Sequence, residues 1–182
     1  MNWTIPGTTL TDQRSNADHV EDMFRSMFLA GGMVLSQVSN VTGLEPYTIQ
    51  NWVKRGLLTS PVQKRYSMNQ LCRIIHINML KSVLPMEQIC GLLSYVNGQL
   101  DDESDDIIDA SELYFLFVGL AAQVEACSEP SERERIIRKA LASYKEPVPG
   151  AKERVERALR IMLTAWMAAL MRQQAEDMIA NL

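Results

Sequence analysis

The chain has 182 residues, 47% of them hydrophobic and 22% charged, with a net charge of −4. That is enough chain for one generous domain or two small ones, too apolar for wholesale disorder, and too acidic overall for a general nucleic-acid binder. Leu, Met, Ala, Glu, Arg and Gln outnumber β-branched and aromatic clusters, which points to helices, and eleven methionines can fill irregular gaps between them.

In chain order, "MNWTIPGTTLTDQRSNADH" lacks an apolar signal core. Residues 15–29 then place Val20, Met23, Phe24, Met27 and Phe28 at helical spacing, with Ser15, Asn16 and Asp18 for capping and Gly31-Gly32 as the stop. A short helix is expected near 35–41, a turn at Thr42-Gly43, and a helix from Pro46 to Arg55 closed by Gly56. "TSPVQKRYS" at 59–67 reads as a tight hairpin or an irregular basic loop. Ser67 caps a helix carrying Leu71, Ile74, Ile77 and Leu80 on one side, and Pro85 opens another with Met86, Ile89, Leu92, Leu93 and Val96 inward.

The stretch 97–109 holds six acidic residues and reads as a solvated boundary, next to the first turn of the following helix. Helices over about 109–127, 130–144 and 151–180 complete the chain. The sum is an all-α protein with at most one small β-hairpin, divided at 1–33, 34–98 and 99–182.

Charge is unevenly spread: residues 1–34 carry −2, residues 35–98 carry +4, and residues 99–182 carry −6. A basic segment inside an acidic chain is what phosphate contact requires. If the helices near 35–41 and 46–55 form a helix-turn-helix, Leu35, Val38 and Val41 pack with Leu44, Ile49 and Trp52 or Val53. Tyr47, Gln50, Asn51 and Lys54 then face outward. Gln and Asn can read adenine bidentately, and Lys54 can reach phosphate or guanine. Lys64 and Arg65 suit phosphate, Trp52 suits the core, and Tyr66 is balanced between packing and backbone contact.

"LSQVSNVTGLEPYTIQNWVKRGLL", followed by "KRYS" and "LPMEQICGLL", resembles the DNA-binding module of the MerR family of transcription regulators over residues 34–96. Thr48-Ile49 matches the family's "T-L", whereas Gln50, Asn51 and Trp52 stand where it has Arg and two tyrosines. Gly56-Leu57-Leu58 leads into the wing, and Lys64-Arg65-Tyr66 takes the wing motif. The whole chain is also similar to an uncharacterised bacterial family that joins such a module to a helical C-terminal region. The resemblance implies a winged helix-turn-helix with a small β-hairpin wing plus a C-terminal helical bundle, and a sequence-specific transcription regulator contacting double-stranded DNA through Tyr47, Thr48, Gln50, Asn51, Lys54, Lys64, Arg65 and Tyr66. The competing reading is a helical interaction or regulatory protein whose module does not bind DNA.

Other chemistry finds little support. Cys72, Cys90 and Cys127 are widely spaced, with no CxxC pair, which fits a reducing cytoplasm and gives Cys127 no partner ligands for a metal. The acidic run lacks the Gly and ligand order of a calcium loop. His19 reads as an exposed helical residue and His76 as a partly buried one. No nucleophile elbow, phosphate-cradling Gly loop or HExxH appears, so neither an enzyme nor a cofactor is expected. The apolar runs at 113–122 and 161–171 fall short of the about 20 residues that a bilayer span needs. Helices as apolar as those over 109–127 and 151–180 imply a partner. A homodimer is expected, through 151–180 or 15–29, with a small apolar ligand or another protein as the alternatives.

Overall fold

The computed structural model describes residues 3–12, 17–124 and 129–182. The strands are β1 (Trp3–Thr4), β2 (Thr11–Asp12), β3 (Met33–Val34) and β4 (Arg65–Tyr66). The helices are α1 (Ala17–Met27), α2 (Leu35–Thr42), α3 (Pro46–Lys54), α4 (Met68–Leu80), α5 (Met86–Asn97), α6 (Ala110–Val124), α7 (Pro130–Ala140) and α8 (Ala151–Ala180). The protein is mainly helical, as its composition implies. Two two-stranded antiparallel sheets occur where at most one hairpin was expected: β1 with β2, and β3 with β4. The extra one is a clasp that residues 3–12 make around Pro6-Gly7. Strands of two residues carry no periodicity from which to predict them.

Helix ends follow local chemistry. Ser67 Oγ accepts from Gln70 N at 3.1 Å while Gln70 Oε1 accepts from Ser67 N at 2.8 Å, a reciprocal cap at the start of α4. Gly43, at φ +69°, ends α2 and returns its N–H to Ser39 O. α4 is the central element: Leu71, Ile74, Ile75, Ile77 and Leu80 are all fully buried, and α6 packs along it. α1 seats Val20 and Phe24 against Tyr114 and Phe115 of α6. Met23, Met27 and Phe28 pack partly against the same core. One core cluster runs from α1 to α8.

The acidic stretch differs from its reading as a solvated linker. Leu100, Ile107 and Ile108 are buried, Ile107 N donates to Val96 O at 3.0 Å, and Asn97 Nδ2 donates to Ile108 O at 2.6 Å. Asp106 is half-buried, with its side chain turned inward. Its Oδ2 lies 3.2 Å from Arg73 Nη2, and both side chains are 3% exposed. His76 is fully buried beside Tyr114, rather than partly. Neither of its ring nitrogens has a hydrogen-bond partner, nor do Arg73 Nη1 and Asp106 Oδ1.

These groups make stability respond to pH with opposite signs. Burial pushes the Asp106 carboxyl up to about 7, against the pull of Arg73 and with help from Glu103, Asp105 and Asp109. Burial, then the Arg73 charge, pushes His76 down to about 3. A carboxyl with a raised folded pKa adds stability as pH falls from about 7 to about 4, whereas an imidazole with a lowered one removes it as pH falls from about 6.5 to about 3. The two largely offset each other in the natural protein. Asp106→Asn removes the favourable half, so its stability is expected to fall relative to the natural protein by up to about 1.4 kcal/mol per pH unit on acidification. Denaturant midpoints from pH 7 to pH 4.5 check this, and parallel pH curves for the two proteins would refute it.

Candidate nucleic-acid interface

α3 is amphipathic in the register expected of it. Ile49 and Trp52 are buried, Val53 is partly buried, and Tyr47, Gln50, Asn51 and Lys54 are exposed, Tyr47 by 72%. Thr48 is half-buried. Pro46 occupies the first turn, where its missing N–H costs nothing. α2 packs on α3 through Val38, Val41 and Leu44, and Ser39 Oγ ties the connection by donating to Leu44 O at 2.6 Å. Trp52 takes the core position expected of it and carries Lys81 Nζ 5.9 Å from its ring centroid.

Residues 62–65 form a tight turn, with Arg65 N donating to Val62 O at 2.8 Å. Its two central residues, Gln63 and Lys64, have φ of +50° and +62°. Left-handed conformations cost an L-residue about 1–2 kcal/mol, yet two in succession are what a twisted two-residue hairpin demands. Lys64 thus stands exposed at the tip of the wing. The wing is anchored at its base, where β4 pairs with β3 in the register Met33 with Tyr66 and Val34 with Arg65.

Strand alternation then separates two of the expected contacts. Arg65 points out, with one N–H committed to Gly32 O at 3.1 Å. Tyr66 points in and is 3% exposed, which settles its balance on the packing side and removes it from the exposed set. Burial raises its phenol above the usual range.

Between α3, the start of α2 and the wing lies a cleft of ≈ 670 Å³. Val34, Leu35, Val53, Pro61 and Tyr66 supply its apolar lining, and Ser36, Gln50, Lys54 and Lys64 its polar lining. Gln50 and Lys54, one turn apart on α3, are thereby joined in one concavity by Lys64 of the wing. Tyr47, Asn51 and Arg65 do not line it; Arg65 lines a second cleft on the other side of the wing, with Glu103. Ser36 and Pro61 were not anticipated. α2 carries Ser36 beside α3, while Pro61 is brought there by the β3–β4 pairing, and strands this short leave no pattern to read.

The acidic stretch buttresses that second side. Glu103 accepts from Thr59 Oγ1 at 3.0 Å and from Asn69 Nδ2 at 3.2 Å, and Gln70 Nε2 donates to Thr59 O at 3.0 Å. Negative charge thus sits behind the wing on the side of Arg65, and Lys64 is the wing cation left on the face shared with α3. Among the described residues no group of three or more His, Cys, Asp and Glu side chains could hold a metal ion, and no helix is long and apolar enough to cross a membrane. Cys127 lies outside the described residues.

A family model described as a domain of unknown function (DUF1836) matches residues 18–117. That stretch begins in α1 and ends inside α6, so the unit held in common includes the cleft, the wing and the α1–α4–α6 packing that supports them. The uncharacterized protein YkrK of Bacillus subtilis (strain 168) is 33% identical over 84 residues, which cover 44% of this chain and 36% of that protein. No solved structure matches the chain.

Proposed function

This chain belongs to the DUF1836 family, and we propose that it is a sequence-specific transcription regulator of MerR-like type that binds double-stranded DNA. One observation carries the reading: Gln50 and Lys54 of an exposed helix face share a cleft with Lys64, which a strained turn holds at the tip of a basic hairpin. In this reading α2 and α3 are the helix-turn-helix and α3 enters the major groove, where Gln50 and Asn51 meet base edges. Lys54 and Lys64 hold phosphates beside it, and Arg65 meets the backbone from the other side of the wing.

The test is a salt titration of binding to genomic DNA fragments. Lys64→Ala with Arg65→Ala is expected to weaken binding to every sequence alike and to reduce the log–log salt slope by about 1 to 2. Gln50→Ala or Asn51→Ala is expected to leave the slope intact and relax base preference. The second reading, a module that binds protein instead of DNA, draws on the apolar lining of the cleft, and it takes over if neither pair changes DNA binding while the fold persists.

A further inference from the structure

The cleft between α2, α3 and the wing has the build of a small-molecule site as well as of a surface for DNA. Its volume of ≈ 670 Å³ falls within the about 300–1,000 Å³ of pockets that enclose small ligands, which are mostly apolar with a few placed polar groups. Leu35, Val53 and Pro61 are half-buried along it, Tyr66 is buried and Val34 is 38% exposed. Phosphates and base edges engage Gln50 and the two lysines. They give this apolar lining little to cover it.

The polar groups of the cleft suit one sign of charge. Lys54 and Lys64 are exposed, and neither forms an ion pair among the described residues. No carboxylate lines the cleft, and Ser36, Gln50 and Tyr66 each carry a hydrogen-bond donor. Tyr66 is only 3% exposed, yet nothing among the described residues hydrogen-bonds to its hydroxyl. The burial that raises its phenol keeps it a donor at neutral pH. The wing also sorts its cations: Arg65 lines the second cleft together with Glu103, and Lys64 stays uncompensated in the first.

We infer that this cleft binds a free amphipathic carboxylate, its head between Lys54 and Lys64 and its apolar body against Leu35, Val53 and Pro61, and that the bound molecule excludes DNA. The head gains charge-assisted hydrogen bonds and the body leaves water, two contributions that neither an alcohol nor a short carboxylate combines. The same ligand covers Gln50, Lys54 and Lys64, so its occupancy and DNA contact compete for the same atoms. The carboxylate site stands without DNA binding, whereas the exclusion rests on the DNA-binding reading.

Calorimetric titration of the full chain with decanoate below its micellar concentration tests the site, with decanol and acetate for comparison. Decanoate is expected to bind once per chain, about tenfold or more tighter than either. Lys54→Gln with Lys64→Gln is expected to bring decanoate down to the level of decanol. Ser36→Trp, from an exposed position, is expected to fill the cleft and weaken both about tenfold or more without moving the thermal melt. Saturating decanoate is expected to weaken binding of the natural protein to genomic DNA fragments about tenfold or more. No decanoate binding, equal affinity for decanol, or indifference to the lysine or Ser36→Trp variants would each overturn the site. Simultaneous binding of decanoate and DNA would overturn the exclusion, whereas decanoate binding by a chain that binds no DNA would overturn the DNA-binding reading and support the carboxylate site alone.

Discussion

Asp106→Ala is expected to destabilise the protein by about 3–5 kcal/mol, and Arg73→Ala by less. The Arg73–Asp106 contact is a single hydrogen bond of 3.2 Å between side chains that are almost wholly shielded from water, with Arg73 Nη1 and Asp106 Oδ1 left without partners. Burying two charges costs several kcal/mol each, and their attraction repays this only while both are present. The partners differ in how they tolerate being alone. A carboxyl already pushed up to about 7 can take a proton near neutrality and become a buried neutral acid. A guanidinium has no such escape, so Asp106→Ala strands a charge beside the fully buried His76. Replacing both, Arg73→Met with Asp106→Leu, is expected to restore most of the loss. Urea unfolding of the four proteins decides the matter: equal losses for the two alanines, or a double variant as weak as Asp106→Ala alone, would remove the pair from this role. The effect reaches the wing as well, because Asn69 and Gln70 hold Glu103 and Thr59 from the turn of α4 before Arg73.

What was legible in the sequence was whatever repeats or caps. α2 to α5 fall within about a residue of their expected bounds, because Gly43, Pro46, Gly56, Ser67 and Pro85 each act on the backbone locally. The outward face of α3 follows from the 3.6-residue period alone. Three features were hidden because they depend on partners far along the chain. Asp106 is one of six carboxylates in a run, and only the approach of Arg73, 33 residues away, makes it different from the exposed ones. His76 sits between two isoleucines in a helix that is buried on every side rather than on one, a distinction that periodicity cannot draw. Tyr66 is assigned to the interior by pairing with Met33, again 33 residues away. The candidate site was therefore half visible: its helix could be read, while the concavity joining that helix to the wing could not.

Gly7→Ala is expected to cost about 2–4 kcal/mol, from two separable causes. Gly7 has φ +74°, where an L-residue is strained, and a Cβ added there would sit 2.8 Å from Ile75 Cγ2, 2.9 Å from Ile75 O and 3.1 Å from Met79 Cβ. The carbonyl belongs to the central helix and cannot yield without disturbing its hydrogen bonds. Gly31→Ala provides the control: its φ is +82° but nothing lies within 4 Å of the added carbon, so it carries the backbone cost alone, about 1–2 kcal/mol. The excess of one over the other measures how tightly the clasp of residues 3–12 is seated on α4. That seating matters for the turn between α2 and α3. Thr9 N and Oγ1 donate to Val41 O at 2.8 Å and Asn40 O at 2.6 Å, and Asn78 Nδ2 bridges Gly7 O and Thr42 O at 3.1 and 2.8 Å. A displaced clasp releases the carbonyls at the end of α2 together with the turn that sets the angle of α3. Hydrogen exchange over residues 38–48 is therefore expected to accelerate in Gly7→Ala and not in Gly31→Ala. Equal unfolding midpoints for the two variants would show that the clasp is loosely held and that the α2–α3 angle is fixed by the helices themselves.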